Sequence, residues 1–469
     1  MNFGKTYGIY FVGIGGIGMS ALARWFNLQG KIIAGYDRTE TALTRQLAEE
    51  GMTIKYEDSV DSIPERMKED NKDILVVYTP AIPSNNEILK FFMSKRYTVK
   101  KRSEVLGAIS QHYRTVAVAG THGKTTTSAL IAHVLKETHV NMAAFLGGIL
   151  QNYNSNLVIH EKAGSSPKMV VEADEYDRSF LTLHPDIAVI TAVDPDHLDV
   201  YGNYPEMEKG FRDFTGNIKN NGSLIIHKGL LEQVVPEGRE DLKVIEYGLH
   251  HIPVRSENIK LEKEKVRFTY QSPGTIIENI PFSLPGFHNI ENAVAAITVC
   301  LQLGIGPAAI KSAISNFKGI KRRFEYILYT DKLVFIDDYA HHPEEIKALL
   351  SSLRAIFKGR TITVIFQPHL FSRTRDLARE FAEALDLADK VLLLDIYPAR
   401  EKPMEGVTSG LILDRMKIGE KKICSKIDLI EDLKTMNLDI LVTVGAGDID
   451  QLVEPIKVML TTKYEIPED

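Results

Sequence analysis

Val116-Ala-Val-Ala-Gly120-Thr121-His122-Gly123-Lys124-Thr125-Thr126-Thr127 joins a β-branched run to a helical one across a tight glycine turn. Thr115 to Val118 predicts a buried strand, and Ser128 to Leu135 predicts a helix. Strand, glycine turn, Lys-Thr and helix together make a phosphate-binding loop. The turn's N–H groups point inward and the helix N-terminus adds partial positive charge. Lys124 can reach β- and γ-phosphates, and the Thr125 hydroxyl can sit on Mg²⁺. The longer pattern Gly-x-x-x-x-Gly-Lys-[Ser/Thr] would need glycine at 118, which is Val118, so this is a shorter form of the loop. The plainer alternative is a glycine turn that does no more than join a strand to a helix.

Upstream, Tyr7 to Val12 predicts a strand, Gly13-Ile-Gly15-Gly16-Ile-Gly18 a turn and Met19 to Leu28 a helix. Lys31 to Tyr36 predicts the next strand, ending at Asp37, 19 positions beyond Gly18. This is the Rossmann-type fingerprint for a pyrophosphate on a helix N-terminus, with Asp37 near a ribose or another polar group. A nicotinamide dinucleotide and a UDP-sugar satisfy it equally. Asp73 to Tyr78 predicts another strand, and Thr79-Pro-Ala-Ile-Pro-Ser-Asn is either a ligand loop at its carboxyl end or a solvated turn. A domain boundary is expected near 107–112.

Downstream, Met169 to Val171 predicts a short strand ending in Glu172-Ala-Asp174-Glu175. A carboxylate just past a strand end and after a phosphate loop is where a Mg²⁺ ligand belongs, and Glu172 is the first choice. Asp174 and Glu175 read equally as solvated loop charges. Ile187 to Ala192 predicts a strand followed by Asp194-Pro-Asp196-His197-Leu-Asp199, a set that could hold a second metal or a water. Ser223 to His227 predicts a strand, and short alternating runs from Val244 to Phe282 predict a β-rich annex. Pro285-Gly286-Phe-His288-Asn289-Ile-Glu-Asn292 then opens a helix over Ala293 to Leu303. Asn289 and Asn292 share a face: one could cap the helix, or both could read a base edge.

Phe317 to Phe324 predicts an interdomain linker whose Arg322 and Arg323 could face a transferring phosphoryl group or simply be solvated. Strands are expected at Leu333–Ile336, Thr361–Phe366, Lys390–Leu394 and Asp439–Val444. Polar or glycine-rich material follows each of them: Asp337-Asp338-Tyr339-Ala-His341-His342-Pro343, Gln367-Pro-His369, Asp395-Ile-Tyr397 and Gly445-Ala-Gly447-Asp448. That is the ligand edge of a doubly wound sheet. No acidic or cysteine ligands complete a zinc set with His341, His342 and His369.

The 469 residues suffice for about three domains, and the apolar content of 44% with 25% charged residues is that of a globular chain. A net charge of −6 gives no sign of a nucleic-acid or membrane-surface partner. Cys300 and Cys424 are the two cysteines, too few for a disulfide framework or a cysteine metal site, which suits a reducing cytosol. No run is long and apolar enough to insert in a membrane, and the opening Met1 to Gly13 does not read as a signal peptide. Oligomeric state is not legible.

Taken together these motifs resemble the Mur ligases, the ATP-dependent amide-forming enzymes of peptidoglycan precursor synthesis. The resemblance runs nearly end to end, over Phe11 to Ser20, Gly120 to Thr127, Glu172 to Glu175, Asp196-His197, Pro285 to Asn289, Arg322-Arg323-Phe, Asp337 to Pro343, Gln367 to His369 and Gly445 to Asp448. The glycine-rich opening with Met19-Ser20 and the Asp-Tyr-x-His-His-Pro run are most similar to the alanine-adding branch.

The resemblance implies an α/β chain of three domains. These are a Rossmann-like UDP-sugar domain over 1–108, a P-loop ATPase-type domain with the β-rich annex over 109–320, and a Rossmann-like closing domain over 321–469. It implies cytoplasmic ligation of L-alanine to the lactyl carboxylate of UDP-N-acetylmuramate through an acyl phosphate, with ATP and Mg²⁺.

It also distributes roles. ATP falls to Gly120, Thr121, His122, Gly123, Lys124, Thr125, Thr126, Asn289, Asn292, Arg323 and Asp338. The UDP-sugar falls to Gly13, Gly15, Gly16, Gly18, Asp37 and Thr79. Metal falls to Thr125, Glu172 and His197, and the amino acid to His342 and Arg373. Lys124, His197, Arg323 and His342 become the catalytic set. The chain departs from the pattern in two places. No lysine stands clearly where several members carry a modified one, with Lys209 and Arg212 nearby, and Leu370 occupies a position that often holds arginine. The alternatives are the related ligase that returns a recycled tripeptide to UDP-N-acetylmuramate and a nicotinamide-dependent oxidoreductase.

Overall fold

The computed structural model describes residues 3–68, 73–195, 198–261, 265–399 and 401–467. Contacts divide the chain into two compact units: 1–259 with 268–281 and 291–318, and 260–267 with 282–290 and 319–469.

The first unit opens with β1 (Gly8–Val12), β2 (Ile32–Tyr36), β3 (Thr53–Lys55), β4 (Ile74–Tyr78) and β5 (Thr98–Lys101), in the order β3-β2-β1-β4-β5. All four pairings are parallel. Every residue of β1 is buried, as expected for a central parallel strand covered on both faces. Strand order reverses at β1 and β4, so the glycine turn after β1 lies at the switch point where such sheets bind ligands.

A second sheet takes β6 (Arg114–Ala119), β7 (Met142–Leu150), β8 (Ser155–His160), β9 (Lys168–Glu172), β10 (Ile187–Ile190), β11 (Ser223–His227), β12 (Lys243–Gly248), β13 (Val254–Leu261), β14 (Val266–Ser272) and β15 (Thr275–Phe282). Their order is β15-β14-β13-β12-β11-β10-β6-β9-β7-β8. The β-rich stretch from Val244 to Phe282 is present and continues this sheet: β12 pairs parallel with β11 and uses its open edge. The hairpin β7–β8 is not legible from the sequence. Met142–Leu150 is apolar without alternation and rich in Ala and Gly, which reads as neither period.

The helices run longer than their apolar runs suggested. One covers Lys124–Glu137 and another Phe287–Gln302, because the polar residues that open them already carry helical backbone. A continuous core joins residues from both sheets, including Phe11, Leu22, Phe26, Phe145, Val171 and Ile190. Phe180 stacks on Phe214 at 5.0 Å and meets Phe211 edge-on at 5.3 Å. Each such ring contributes about 1.5–3 kcal/mol by burial. Cys300 lies in this unit, fully buried, and burial pushes its thiol up, as expected for a core cysteine.

The second unit carries β16 (Glu325–Tyr329), β17 (Val334–Asp338), β18 (Ile362–Phe366), β19 (Lys390–Leu393), β20 (Glu420–Ile423) and β21 (Ile440–Val444), ordered β16-β17-β21-β18-β19-β20. β16 runs antiparallel to β17 and the other pairings are parallel. The parallel strands end at one edge, where the polar loops after β17, β18, β19 and β21 gather. Asp337 and Asp338, read from sequence as loop residues, complete β17 and are buried. Asp337 accepts from Thr443 Oγ1 at 2.6 Å and pairs with Arg322 Nε at 3.2 Å. Asp338 accepts from the amides of Phe324 and Ala340, each at 2.7 Å.

Burial pushes the Asp338 carboxyl up to about 6, which Arg323 and the two amide donors offset only in part. The folded chain thus holds this proton more tightly than an unfolded chain, whose carboxyl titrates near about 3.9. The neutral form's contribution is complete below about pH 4 and fades as pH rises through about 6. In urea unfolding followed from about pH 4.5 to 7.5, Asp338→Asn should flatten this decline, by the order of 2 kcal/mol across the window. An identical slope in the two proteins would contradict the burial argument.

Candidate functional site

Three groups of side chains stand at strand ends, two in the first unit and one in the second. The first surrounds the turn after β1. The Asp37 carboxylate accepts from the Gly15 amide at 2.8 Å and so closes the glycine turn on the next strand. A Cβ at Gly13 would lie 2.9 Å from the Thr79 methyl, which places Thr79 against the turn. A Cβ at Gly18 would lie 2.8 Å from Arg102 Nη1. Arg102, which opens the helix Arg102–Ser110, was missed from sequence. It sits 4.0 Å from the Asp174 carboxylate and is a cation at the start of a glycine-turn helix, where a pyrophosphate needs one. Its sequence context, Lys100-Lys101-Arg102, reads as a solvated basic run.

The second group is set by sheet register. β6 lies between β9 and β10, with Val118 opposite Glu172 and Ala119 opposite Ile190. The loops after these three strands must therefore adjoin. Gly120 has φ +131°, and a Cβ there would fall 2.1 Å from Thr191 Oγ1, so only glycine fits. Thr191 donates to the His122 carbonyl and fixes the turn from the β10 side. His122 faces Asp194 at 3.7 Å, and Thr121 accepts from the Asp194 amide at 3.1 Å. Gly123 caps the helix that begins at Lys124.

Lys124 Nζ donates to the Gly120 carbonyl at 2.6 Å and pairs with both oxygens of Glu175 at 2.9 and 2.8 Å. Glu175 is fully buried, not the solvated charge that sequence allowed. Burial disfavours the Lys124 charge, but Glu175, Asp174 and Glu172 outweigh it and hold the ammonium above its ordinary range. Thr125 donates to Glu172 Oε1 at 3.1 Å, and the Gly147 amide in β7 donates to Glu172 Oε2 at 3.0 Å. A hydroxyl and a carboxylate at hydrogen-bond distance are hard oxygen donors suited to Mg²⁺, which takes one or two protein ligands and completes its shell with water and phosphate. Thr126 is buried in the same turn of helix. Asn292 Oδ1 accepts from Thr127 at 3.2 Å and lies where a Cβ on Gly123 would be. Asp196 and His197 lie outside the described residues. Among those described, no three His, Cys, Asp or Glu side chains cluster as a metal set.

The third group belongs to the second unit. Arg322 donates to the Gly445 carbonyl at 2.5 Å as well as to Asp337, which ties the start of the unit to the glycine turn after β21. Arg322 and Arg323 lie over the Tyr339 ring at 5.2 and 5.1 Å, and Arg323 approaches Glu345 at 4.0 Å. His342 caps the helix Pro343–Ile356 through its ring nitrogen, 3.4 Å from the Glu344 amide. Arg373 lies half-buried in the short helix Phe371–Asp376, just after Leu370, which has φ +71°. His369 stacks on Tyr397 at 5.7 Å. Asn289 donates to the Pro285 carbonyl at 2.7 Å, a local bond at the start of its helix.

Comparison with known proteins adds to this geometry. Residues 8–114 match the Mur ligase family catalytic domain, 118–300 the Mur ligase middle domain, and 322–449 the Mur ligase glutamate ligase domain. UDP-N-acetylmuramate–L-alanine ligase of Cytophaga hutchinsonii is 44% identical over 99% of this chain and 99% of its own. The protein of that name from Flavobacterium johnsoniae is 46% identical over 98% and 99%. The crystal structure of a UDP-N-acetylmuramate–alanine ligase from Thermotoga maritima superposes with a TM-score of 0.79 at 29% identity, covering 98% of this chain and 99% of that one.

The contact between Gly147 and Glu172 generates a prediction. A Cβ at Gly147 would fall 2.3 Å from Glu172 Oε2, while the backbone there stays outside the left-handed region. Gly147→Ala should therefore turn the carboxylate away from Thr125 with little change in melting temperature. Calorimetric titration should show Mg²⁺–ATP binding weakened about tenfold, the usual cost of disturbing a metal ligand's outer partner. Unchanged nucleotide affinity would mean that this carboxylate does not serve the phosphate loop.

Proposed function

The chain belongs to the Mur ligase family, and from that premise we propose that it ligates L-alanine to the lactyl carboxylate of UDP-N-acetylmuramate, with ATP converted to ADP and phosphate. Full-length similarity at 44–46% identity to ligases of that name supports this reading. The observation that carries it is the pairing of Lys124 with the buried Glu175, beside Thr125 and Glu172. A lysine held charged in a glycine turn, with oxygen donors for a divalent cation next to it, is equipment for triphosphate chemistry. Hydride transfer has no use for it.

A carboxylate does not accept an amine at neutral pH, because hydroxide is too poor a leaving group. In the proposed reaction the lactyl carboxylate oxygen attacks the γ-phosphorus of ATP. The new O–P bond forms as the bridging bond to the β-phosphate breaks, releasing ADP and leaving an acyl phosphate. The neutral amine of alanine then attacks the acyl carbon and gives up a proton, and the tetrahedral intermediate collapses with loss of phosphate. Two anions must meet in the first step, so charge neutralisation carries most of the catalysis.

Lys124 is assigned that task, and it would exchange Glu175 for phosphate oxygens as the triphosphate enters. Gly120 to Thr126 would supply the phosphate cradle. Mg²⁺, held by Thr125 and Glu172, would supply further neutralisation of the phosphates, and His197 is assigned by resemblance to a second ion. The turn Gly13 to Gly18 with Asp37, Thr79 and Arg102 is assigned to the UDP-sugar. Asn289, Asn292, Arg323 and Asp338 are assigned to ATP, and His342 and Arg373 to alanine. The three-domain division at 108 and 320 follows the same resemblance. Among the described residues no helix is long and apolar enough to cross a membrane, and a cytoplasmic setting fits the nucleotide substrates.

ADP release measured with each substrate omitted in turn tests the reading. ADP should form only when ATP, UDP-N-acetylmuramate and L-alanine are all present. Lys124→Ala should lower kcat by about 10³-fold while UDP-N-acetylmuramate still binds. Equal ADP formation without the sugar nucleotide would replace the ligase with a simple nucleotide hydrolase.

A further inference from the structure

Asn156, in β8, is a fully buried amide that no part of the proposed chemistry uses. Its Nδ2 donates to the Ile17 carbonyl at 2.5 Å and to Ser20 Oγ at 2.9 Å. Its Oδ1 accepts from Arg24 Nη1 at 2.5 Å. Arg24 is itself almost completely buried and holds Glu50 with Nε and Nη2 at 2.7–3.0 Å. Ile17, Ser20 and Arg24 are successive turns of one helix face, on the helix that begins at the end of the Gly13–Gly16 turn. One amide of the second sheet therefore pins the first turn of the helix that belongs to the first sheet.

The hairpin that carries Asn156 also reaches the phosphate loop. β7 and β8 pair regularly up to Phe145–Leu157 and again at Leu150–Ser155, with an irregularity between them. Gly147 lies in that irregular stretch and donates its amide to Glu172. The break in pairing frees the Gly147 N–H for the carboxylate. Asn156 falls between the two paired positions on the opposite strand, so the same few residues of hairpin touch the sugar-nucleotide helix on one side and Glu172 on the other.

We propose that Asn156 is a positioning residue: through the first turn of the helix Ile17–Leu28 it sets where the glycine turn presents the sugar nucleotide relative to the phosphate loop. This rests on the assignment of the Gly13–Gly18 turn to UDP-N-acetylmuramate and deepens it. The acid group and the γ-phosphorus come from two different sheets, so their alignment depends on whatever fixes one sheet's glycine turn against the other. A packed apolar contact would bury area there without fixing the helix rotation. An amide that bonds a carbonyl, a hydroxyl and a guanidinium fixes it in three directions.

Two variants test this on the full chain, Asn156→Asp and Asn156→Ala. The first keeps an acceptor for Arg24 but turns an oxygen towards the Ile17 carbonyl. The second removes all three bonds without repulsion. Each should raise the KM for UDP-N-acetylmuramate about 10- to 100-fold, the cost of an ångström-scale misplacement. The dissociation constant for Mg²⁺–ATP alone should stay at the wild-type value. Equal losses for both substrates, no loss for either, or failure of both variants to fold would each overturn the proposal and leave the amide a purely structural group. Wild-type protein run alongside separates the two levels: if it forms no ADP with UDP-N-acetylmuramate, the sugar-nucleotide assignment itself fails.

Discussion

A largely buried cation facing three carboxylates governs the second sheet of this chain. Lys124 stands at a helix N-terminus, where the backbone already carries partial positive charge, and burial further disfavours its ammonium. Glu175, fully buried and bonded through both oxygens, reverses the balance, with Glu172 and Asp174 adding to it. A buried pair of this kind contributes little net stability, but removing one partner strands the other charge at a cost of about 3–5 kcal/mol. The pair is thus better understood as storage than as support. It keeps a full positive charge ready inside the turn, at a point where a neutral lysine would be useless to a phosphate.

The carboxylates reach Lys124 because of strand order. A parallel sheet sends all its carboxyl ends to one edge, and placing β6 between β9 and β10 makes the three following loops neighbours. Residues 51 positions apart, Lys124 and Glu175, then meet at hydrogen-bond distance. The same rule orders the second unit, where Asp337 at the end of β17 meets Thr443 in β21, 106 positions away. The chemistry of each group follows from topology, and the side chains only exploit an edge that the backbone has already assembled.

Local patterns carried much of this into the sequence. The phosphate loop, the glycine turn after β1 and the carboxylate at Glu172 all stand at strand ends, because short β-branched runs followed by Gly-rich or acidic residues leave few other readings. What escaped is of two kinds. Gly147, Asn156 and Arg102 act across the chain, and nothing in their own neighbourhood distinguishes a glycine in an apolar run, an asparagine in Asn-Ser-Asn or an arginine after two lysines. Glu175 escaped because burial of a charge is a property of its partner. Lys124 pairs with Glu175, whose side chain is fully buried, while that of the preceding residue, Asp174, is more exposed.

Part of the chain's strained backbone stands beside these loops. Asp177 and Arg178, just past the acidic loop after β9, have φ +56° and +54°. Arg322 and Phe324, which precede β16, have φ +61° and +47°, and Leu370 after β18 has φ +71°. None is glycine, so each costs about 1–3 kcal/mol and persists only where its surroundings over-determine it. The determinants are visible: the Arg322 amide is held by Glu325 at 2.7 Å, the Phe324 amide by Asp338 at 2.7 Å, and the Leu370 amide by the Tyr397 carbonyl at 3.0 Å. One buried acid of the second unit therefore serves the backbone directly. Asp338 is costly to bury, yet its two oxygens anchor the residue just before β16 and the turn that follows β17, next to the arginine pair over Tyr339.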